Sequence, residues 1–199
     1  EWYEKFGILK NEYYLIVGRF VPENNYETMI TEFMRSRTRK DLVIITNVEK
    51  NKFYSKLAKK TGFEDDKRIK FVGTVYDQEL LKKIREEAYG YIHGHEVGGT
   101  NPSLLEAMAS TKLNLLLDVG FNKEVGNNCV LYWKKSEYDL ASCIDQNDHH
   151  TNKKLEDLAI KSKERVLGNF SWSIICREYE EVFTNECKEG ISHDKIIIL

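Results

Sequence analysis

The chain has 199 residues, of which 41% are apolar and 31% charged, and its formal net charge is −2. This composition is typical of a globular protein with one hydrophobic core, and it excludes the strongly basic surface that general nucleic-acid binding requires. No apolar run approaches the roughly 20 residues that span a bilayer, so we expect a cytoplasmic protein. The first residue is Glu1 rather than methionine, and we expect the chain to be part of a longer polypeptide.

Short apolar runs alternate with helical patterns from the start of the chain. Strands are predicted at residues 13–17, 42–46, 69–72 and 89–93. A helix is predicted after each of them, at residues 25–34, 52–60, 77–87 and 102–110. Two further strands are expected at 114–117 and 129–132. Strands that are apolar on both faces and alternate with helices predict a doubly wound, Rossmann-like parallel sheet in the α/β class, with helices on both faces.

The last third of the chain is predicted to be a C-terminal helical tail. Helices are expected at 137–144, 153–166 and 171–183, with Trp172 and Tyr179 as anchors in the core. We interpret residues 1–184 as one domain and residues 185–199 as a short tail. The four cysteines lie far apart without a Cys-x-x-Cys pair, so the pattern predicts neither a zinc site nor a redox dithiol, and we expect reduced thiols.

Glycine and polar residues follow the first four predicted strands. The carboxyl ends of parallel strands meet at one edge, where doubly wound sheets bind ligands, so these segments are expected to form one rim. Arg19 follows Gly18 at the end of the first strand, where a guanidinium can bind a diphosphate, although a plain surface arginine fits equally well. Asn24 and Asn25 are candidates to cap the next helix.

A glycine-rich turn joins the fourth strand to its helix. Gly98 and Gly99, followed by Thr100, allow a ligand to approach the backbone closely. Asn101 is predicted as the helix N-cap, with a proline at the first helical position and Ser103 after it, so that unpaired amides of the first turn face the ligand.

Two further positions at the rim carry groups that suit a nucleotide. Glu106 lies one turn inside the helix among apolar neighbours, and a half-buried carboxylate there needs a partner. Vicinal ribose hydroxyls would supply two donors, and a lysine or a backbone cap would serve equally. Thr74 and Val75, after the third strand, either present backbone groups to a base or form an ordinary turn.

The pattern His93-Gly-His95 with Glu96 beside it raises a metal site as an alternative. The two histidines share one face only if the strand continues through Gly94, and the sequence has no second ligand cluster. We therefore predict no metal and favour contact with substrate or a structural role.

Taken together, the rim segments resemble the carboxyl-terminal, donor-binding domain of GT-B glycosyltransferases of the retaining family 4 type. The resemblance covers about residues 12–184. It rests on three segments: Val-Gly-Arg-Phe-Val-Pro-Glu-Asn-Asn at 17–25, Ile-Lys-Phe-Val-Gly-Thr-Val at 69–75, and Gly-Gly-Thr-Asn-Pro-Ser-Leu-Leu-Glu-Ala-Met-Ala at 98–109. The His-Gly-His and Gly-Gly-Thr-Asn-Pro-Ser stretches are further similar to bacterial capsular and cell-wall polysaccharide rhamnosyltransferases, which use dTDP-L-rhamnose.

The resemblance implies one half of a GT-B fold that binds a nucleotide sugar as substrate, with no resident cofactor and no metal. It implies transfer with retention to a saccharide or lipid-linked saccharide, which a missing N-terminal domain would hold. The full enzyme would then work in the cytoplasm or at the inner face of the membrane, this part alone would have little activity, and nucleic acid is not an expected partner.

The resemblance also implies roles for individual residues. Arg19 and Glu106 would be the catalytic pair, on the diphosphate and the ribose. Two positions depart from the family pattern, because Gly98 stands where a glutamate is usual and Asn24 stands near the usual lysine. The expected donor site comprises Gly18, Arg19, Asn24, Thr74, Val75, His95, Glu96, Gly98, Gly99, Thr100, Asn101, Ser103 and Glu106.

Two alternatives remain open, the second of them because of these departures. One is a nucleotide-sugar epimerase of the same architecture, for which His93, His95 and Glu96 are the candidate acid-base groups. The other is a nucleotide-binding module without catalytic activity.

Overall fold

The computed structural model describes residues 1–49, 51–149 and 152–189, with the side chains of residues 152 and 185–189 left undescribed. The strands of this part are β1 (Tyr13–Val17), β2 (Asp41–Ile45), β3 (Ile69–Gly73), β4 (Gly90–His93), β5 (Leu113–Leu117) and β6 (Leu131–Trp133). Its helices are α1 (Trp2–Phe6), α2 (Tyr26–Arg35), α3 (Lys52–Thr61), α4 (Gln78–Glu86), α5 (Pro102–Ser110), α6 (Gly120–Gly126), α7 (Asp139–Asn147), α8 (Asn152–Asn169) and α9 (Trp172–Glu189).

The six strands form one parallel sheet in the order β3-β2-β1-β4-β5-β6. The chain runs outward from β1 to β3 and then returns to place β4 on the other side of β1. The direction of winding therefore reverses between β1 and β4, which is where doubly wound sheets open a crevice for ligands. The predicted Rossmann-like fold is confirmed, and it matches what one half of a GT-B enzyme requires.

Both faces of the sheet are buried. Alternate residues of each strand point to opposite faces, and helices pack on each face. Tyr14 and Ile16 belong to a core shared with α2, α3 and α7, whereas Tyr13 and Leu15 pack against α1 and α4. A smaller apolar cluster lies between α5, α6, β5 and α8. This explains why the strands have near-continuous apolar sequences.

Several predicted elements differ from the structure. The short helices α1 and α6 were not predicted, and the strand expected at 129–132 lies at Leu131–Trp133 because the amide of Cys129 bonds Gly126 O in a turn. Helices α7 and α8 bury residues such as Ile144 and Leu155, so they belong to the domain core. Trp172 and Tyr179 are 80% and 63% exposed, so their prediction as core anchors is wrong.

The described part of the C-terminus consists of α9, which runs across residue 184 to Glu189. Residues 190–199 of the predicted tail lie outside the described residues. Cys129, Cys143 and Cys176 are free thiols. No helix among the described residues is both long and apolar enough to cross a bilayer.

Candidate functional site

Two adjoining cavities open at the carboxyl end of β1. The first, of about 530 Å³, extends toward the loop between β4 and α5, and we call it the β4-side chamber. The second, of about 490 Å³, extends toward the ends of β2 and β3, and we call it the β3-side chamber. Both walls contain Val17, Gly18, Arg19 and Val21. The crevice therefore lies at the point where the winding of the sheet reverses, as predicted for a ligand site.

Arg19 stands at the junction of the two chambers. Its side chain is exposed and makes no ion pair with any carboxylate of the described chain. Its backbone is fixed, because Arg19 O accepts hydrogen bonds from Asn24 Nδ2 at 2.8 Å and from Val21 N at 3.0 Å. The next residue, Phe20, is buried against Tyr26 with ring centroids 4.4 Å apart. A rigid loop thus presents an unneutralised guanidinium to the crevice.

Asn24 and Asn25 hold this loop in place and do not cap α2 with their side chains. Asn24 is only 7% exposed, and its amide is used on Arg19 O. Asn25 has a φ of 56°, a conformation that asparagine tolerates better than most residues, and its amide donates to Gly94 O at 2.8 Å. The predicted side-chain cap is therefore replaced by a contact between the β1–α2 and β4–α5 loops.

His93 and His95 face the same side although β4 ends at His93. Their rings stack with centroids 4.4 Å apart, and His95 lines the β4-side chamber. Burial, together with the neighbouring ring, lowers the pKa of His93 to about 3. Burial and the charge of Arg19 also lower the pKa of His95. Both imidazoles are therefore neutral at physiological pH.

Glu96 is engaged at the outer rim. It pairs with Lys135, which follows β6, and accepts from Asn25 Nδ2 at 3.3 Å. The hydrogen bond from Lys135 lowers the pKa of Glu96. Glu96 does not join His93 and His95, and the described residues contain no group of three or more His, Cys, Asp or Glu side chains able to hold a metal ion.

The N-terminus of α5 confirms one expectation and corrects another. Asn101 caps the helix, with its Oδ1 accepting from Ser103 N at 2.9 Å. Its carbonyl also accepts from Leu104 N and Leu105 N, so these first-turn amides are already satisfied. The amides at 99–101, by contrast, donate to no atom of the described chain. An anion would thus bind the loop before the helix and not the first turn itself.

Glu106 is half exposed and carries an ion pair that the sequence did not reveal. Its Oε2 lies 2.6 Å from Nη2 of Arg85, whose side chain is only 4% exposed. Arg85 follows Leu81 and Ile84 on the buried face of α4. The sequence analysis did not single out Arg85, although a charged residue at a position where helical spacing favours an apolar one is a signal that could have found it.

The structure brings together some of the predicted site residues and separates others. The chamber walls contain Gly18, Arg19, Asn24, Thr74, Val75, His95, Asn101 and Ser103. Outside both walls lie Glu96, Gly98, Gly99, Thr100 and Glu106. Wall residues outside the expected donor site include Glu23, Thr46, Asn51 and Val97, of which all but Asn51 lie in the predicted rim segments. Of these, Asn51 was predictable as the cap of α3, since its Oδ1 accepts from Phe53 N at 2.9 Å.

The family profile described as glycosyl transferases group 1 matches residues 1–164. No curated protein sequence matches the chain. A glycosyltransferase from Rickettsia africae is structurally similar, with a TM-score of 0.80 and 16% identity over 94% of this chain and 51% of that protein. Anabaena HepE in complex with UDP and glucose is similar with a TM-score of 0.77 and 16% identity, over 92% and 51%.

The C-terminal domain of a glycosyl transferase group 1 family protein from Francisella tularensis also matches. Its TM-score is 0.68 and its identity 17%, over 86% of this chain and 92% of that domain. The chain thus spans about half the length of the Rickettsia and Anabaena proteins and most of the isolated Francisella domain. At these identities the likeness is one of fold.

Proposed function

The chain belongs to the glycosyl transferases group 1 family, and from that premise we propose that it is the donor-binding part of a glycosyltransferase that uses a nucleotide sugar. The observation that carries the proposal is Arg19, whose guanidinium has no ion-pair partner among the described residues and lies on a hydrogen-bonded loop between two chambers. A diphosphate at that junction would direct its nucleoside toward one chamber and its sugar toward the other. HepE, which shares the fold, is solved with UDP and glucose.

The roles follow from position. Arg19 binds the diphosphate and stabilises the charge that develops on it as the sugar leaves, helped by the amides at 99–101, which donate to no atom of the described chain. Val75 and the adjacent Thr74 in the β3-side chamber contact the base. Glu106 is an exception, because it lies outside both chamber walls, and we assign it to the pentose of the nucleotide from the family resemblance. His95, Asn101 and Ser103 in the β4-side chamber contact the sugar or its phosphate.

The finer assignment is also our proposal. The donor is dTDP-L-rhamnose, and the sugar passes with retention to a growing capsular or cell-wall polysaccharide held by an N-terminal domain at the inner face of the membrane. Its support is the similarity of the His-Gly-His and Gly-Gly-Thr-Asn-Pro-Ser stretches to rhamnosyltransferases.

Calorimetric titration of UDP, dTDP and GDP into the protein tests the function. We expect one of them to bind, and Arg19→Ala to weaken that binding about tenfold or more, as for loss of a charge-assisted hydrogen bond. Arg39→Ala is the matched control, because Arg39 is exposed before β2 at the opposite edge of the sheet. A folded protein that binds none of the three nucleotides would overturn the proposal.

A further inference from the structure

Arg85 is a buried cation directly behind the crevice. Its side chain is 4% exposed, and its Nε is buried without a hydrogen-bond partner in the described chain. The cost of burying a guanidinium is high unless it is paired, and an apolar residue would pack equally well beside Leu81 and Ile84. Packing alone therefore does not explain why the chain has an arginine here.

The partners of Arg85 connect it to the crevice. Its Nη2 lies 2.6 Å from Glu106 Oε2 and 3.5 Å from Ser103 Oγ. Ser103 Oγ also lies 3.2 Å from the hydroxyl of Tyr91, which donates to Val17 O at 3.3 Å. A continuous set of polar contacts thus runs from α4 through α5 and β4 to the end of β1, beneath the β4-side chamber.

Glu106 is held by only one of its two oxygens. Oε2 is fixed by Arg85, while Oε1 has no partner in the described chain and the side chain is 50% exposed. A carboxylate near a bound diphosphate would also repel it, and a guanidinium at 2.6 Å offsets that repulsion. The pair thus offers one oriented acceptor with little net charge.

We propose that Arg85 is a positioning residue for nucleotide recognition, which fixes Glu106 through Oε2 and so aims Oε1 at the pentose hydroxyls of the donor, the 2′- and 3′-hydroxyls of a ribonucleotide or the single 3′-hydroxyl of dTDP. This inference rests on the proposed function. Arg85 itself contacts no donor atom. Its effect on affinity passes through Glu106 and vanishes when either the carboxylate or the pentose hydroxyls are removed.

The test is a double-mutant cycle on whichever of UDP, dTDP or GDP binds best. We expect Arg85→Gln to weaken binding about tenfold in the wild-type background and to change it less than about twofold in the Glu106→Gln background. Arg85→Lys, which retains the charge but not the planar fork, should recover part of the affinity. Lys82→Gln removes the same charge from an exposed position of α4 and should leave affinity unchanged.

A second readout isolates the pentose. The 2′,3′-dideoxy counterpart of the same nucleoside diphosphate should bind wild type more weakly than the parent nucleotide, and Arg85→Gln should bring the two affinities close to equality. A purely structural arginine would lower the melting temperature without changing this ratio. If Arg85→Gln does not fold, Arg85→Lys enters both measurements in its place.

The outcomes separate the two proposals. Additive effects of Arg85→Gln and Glu106→Gln, or an unchanged ratio between parent and dideoxy nucleotides, would overturn the positioning role while the donor-binding function stands. Failure of wild type to bind any nucleoside diphosphate would overturn the function itself. Coupling in the cycle together with loss of the preference for the pentose hydroxyls supports both.

Discussion

The imidazole ring of His93 stacks on that of His95, with the two planes 14° apart. His93 is 1% exposed, and neither of its ring nitrogens has a hydrogen-bond partner in the described chain. His95 lines the β4-side chamber, and His93 is stacked on it in the interior. A charged imidazole at this depth would be unfavourable, so His93 is held as a neutral ring.

The first prediction is acid destabilisation through His93. In the unfolded chain this side chain takes up a proton near pH 6.5, whereas in the fold its lowered pKa keeps it neutral until about pH 3. Between these values the unfolded state binds more protons, so stability is fully present above pH 6.5 and declines on acidification. One such group changes the free energy of unfolding by about 1.4 kcal/mol per pH unit. Urea denaturation at about pH 7.5 and about pH 5.5 measures the loss.

Two variants assign this loss to His93. His93→Phe retains a planar ring without a titrating group, so its loss of stability between the two pH values should be smaller by about 1.4 kcal/mol. His149→Gln removes an exposed histidine and should behave like wild type. Equal losses in wild type and His93→Phe would show that His93 does not titrate as its burial implies.

The second prediction concerns the contact between loops at Gly94. A Cβ on Gly94 would lie 2.6 Å from Asn24 O and 2.8 Å from Met29 Sδ. The backbone atom cannot give way cheaply, so Gly94→Ala should lower the free energy of unfolding by about 1–3 kcal/mol and weaken nucleotide binding by displacing the loop that carries Arg19. Chemical denaturation and calorimetry measure the two effects.

Gly168→Ala is the matched control for the same substitution. Gly168 lies within α8, and a methyl group added to its Cα would meet no atom of the described residues within 4 Å. Alanine there should raise stability by about 0.5–1 kcal/mol, because it restricts the unfolded chain and favours the helix. If Gly94→Ala is as stable as wild type, the two loops are not packed as described.

The elements that were predictable from sequence are those with local signals. The strands β1, β2 and β4 are largely apolar on both faces, and α5 begins at an asparagine followed by proline, so both kinds of element were predicted nearly in full. The helices α1 and α6 have only five and seven residues, too few for a helical period to stand out. Trp172 was misassigned because an apolar residue does not reveal whether another element covers it.

The residues of the candidate site also fall into those that were predictable from the sequence and those that were not. Arg19 and Asn101 were predictable because each follows a strand or precedes a helix at a fixed place in the chain. The pairing of Arg85 with Glu106 was not, because it depends on how α4 packs against α5. The role of Asn24 was likewise hidden, since its partner is a backbone carbonyl that only the folded loop brings near.

The third prediction concerns Gly98, which stands where the family pattern usually has a glutamate. Its φ of 120° is a backbone conformation that residues with side chains rarely adopt, although a Cβ there would meet no atom of the described residues within 4 Å. Backbone strain, not space, therefore opposes Gly98→Glu, which should lower the free energy of unfolding by about 1–3 kcal/mol. Gly99→Glu is the control, because Gly99 has open space and no such φ. Denaturation curves of equal midpoint for the two variants would contradict this explanation.

The fourth prediction concerns Asn24→Lys, which would introduce the cation that the family pattern leads one to expect. Asn24 is 7% exposed, and its amide holds Arg19 O at 2.8 Å. A lysine would bury an ammonium group beside another cation and release that carbonyl, so stability should fall by about 1–3 kcal/mol.

Affinity for a nucleoside diphosphate should fall in Asn24→Lys as well, because the loop that presents Arg19 loosens. Val21→Lys adds a cation to the crevice without removing the hydrogen bond from Asn24 to Arg19 O. Val21 lines both chambers, and its side chain takes no part in that hydrogen bond. The variant should tighten diphosphate binding, because a second cation then faces the anion without loss of the hydrogen bond. Calorimetry on both variants measures the affinity for the nucleoside diphosphate. Tighter binding by Asn24→Lys would mean that a cation at position 24 can reach the diphosphate, and that Asn24 is not needed to support the loop.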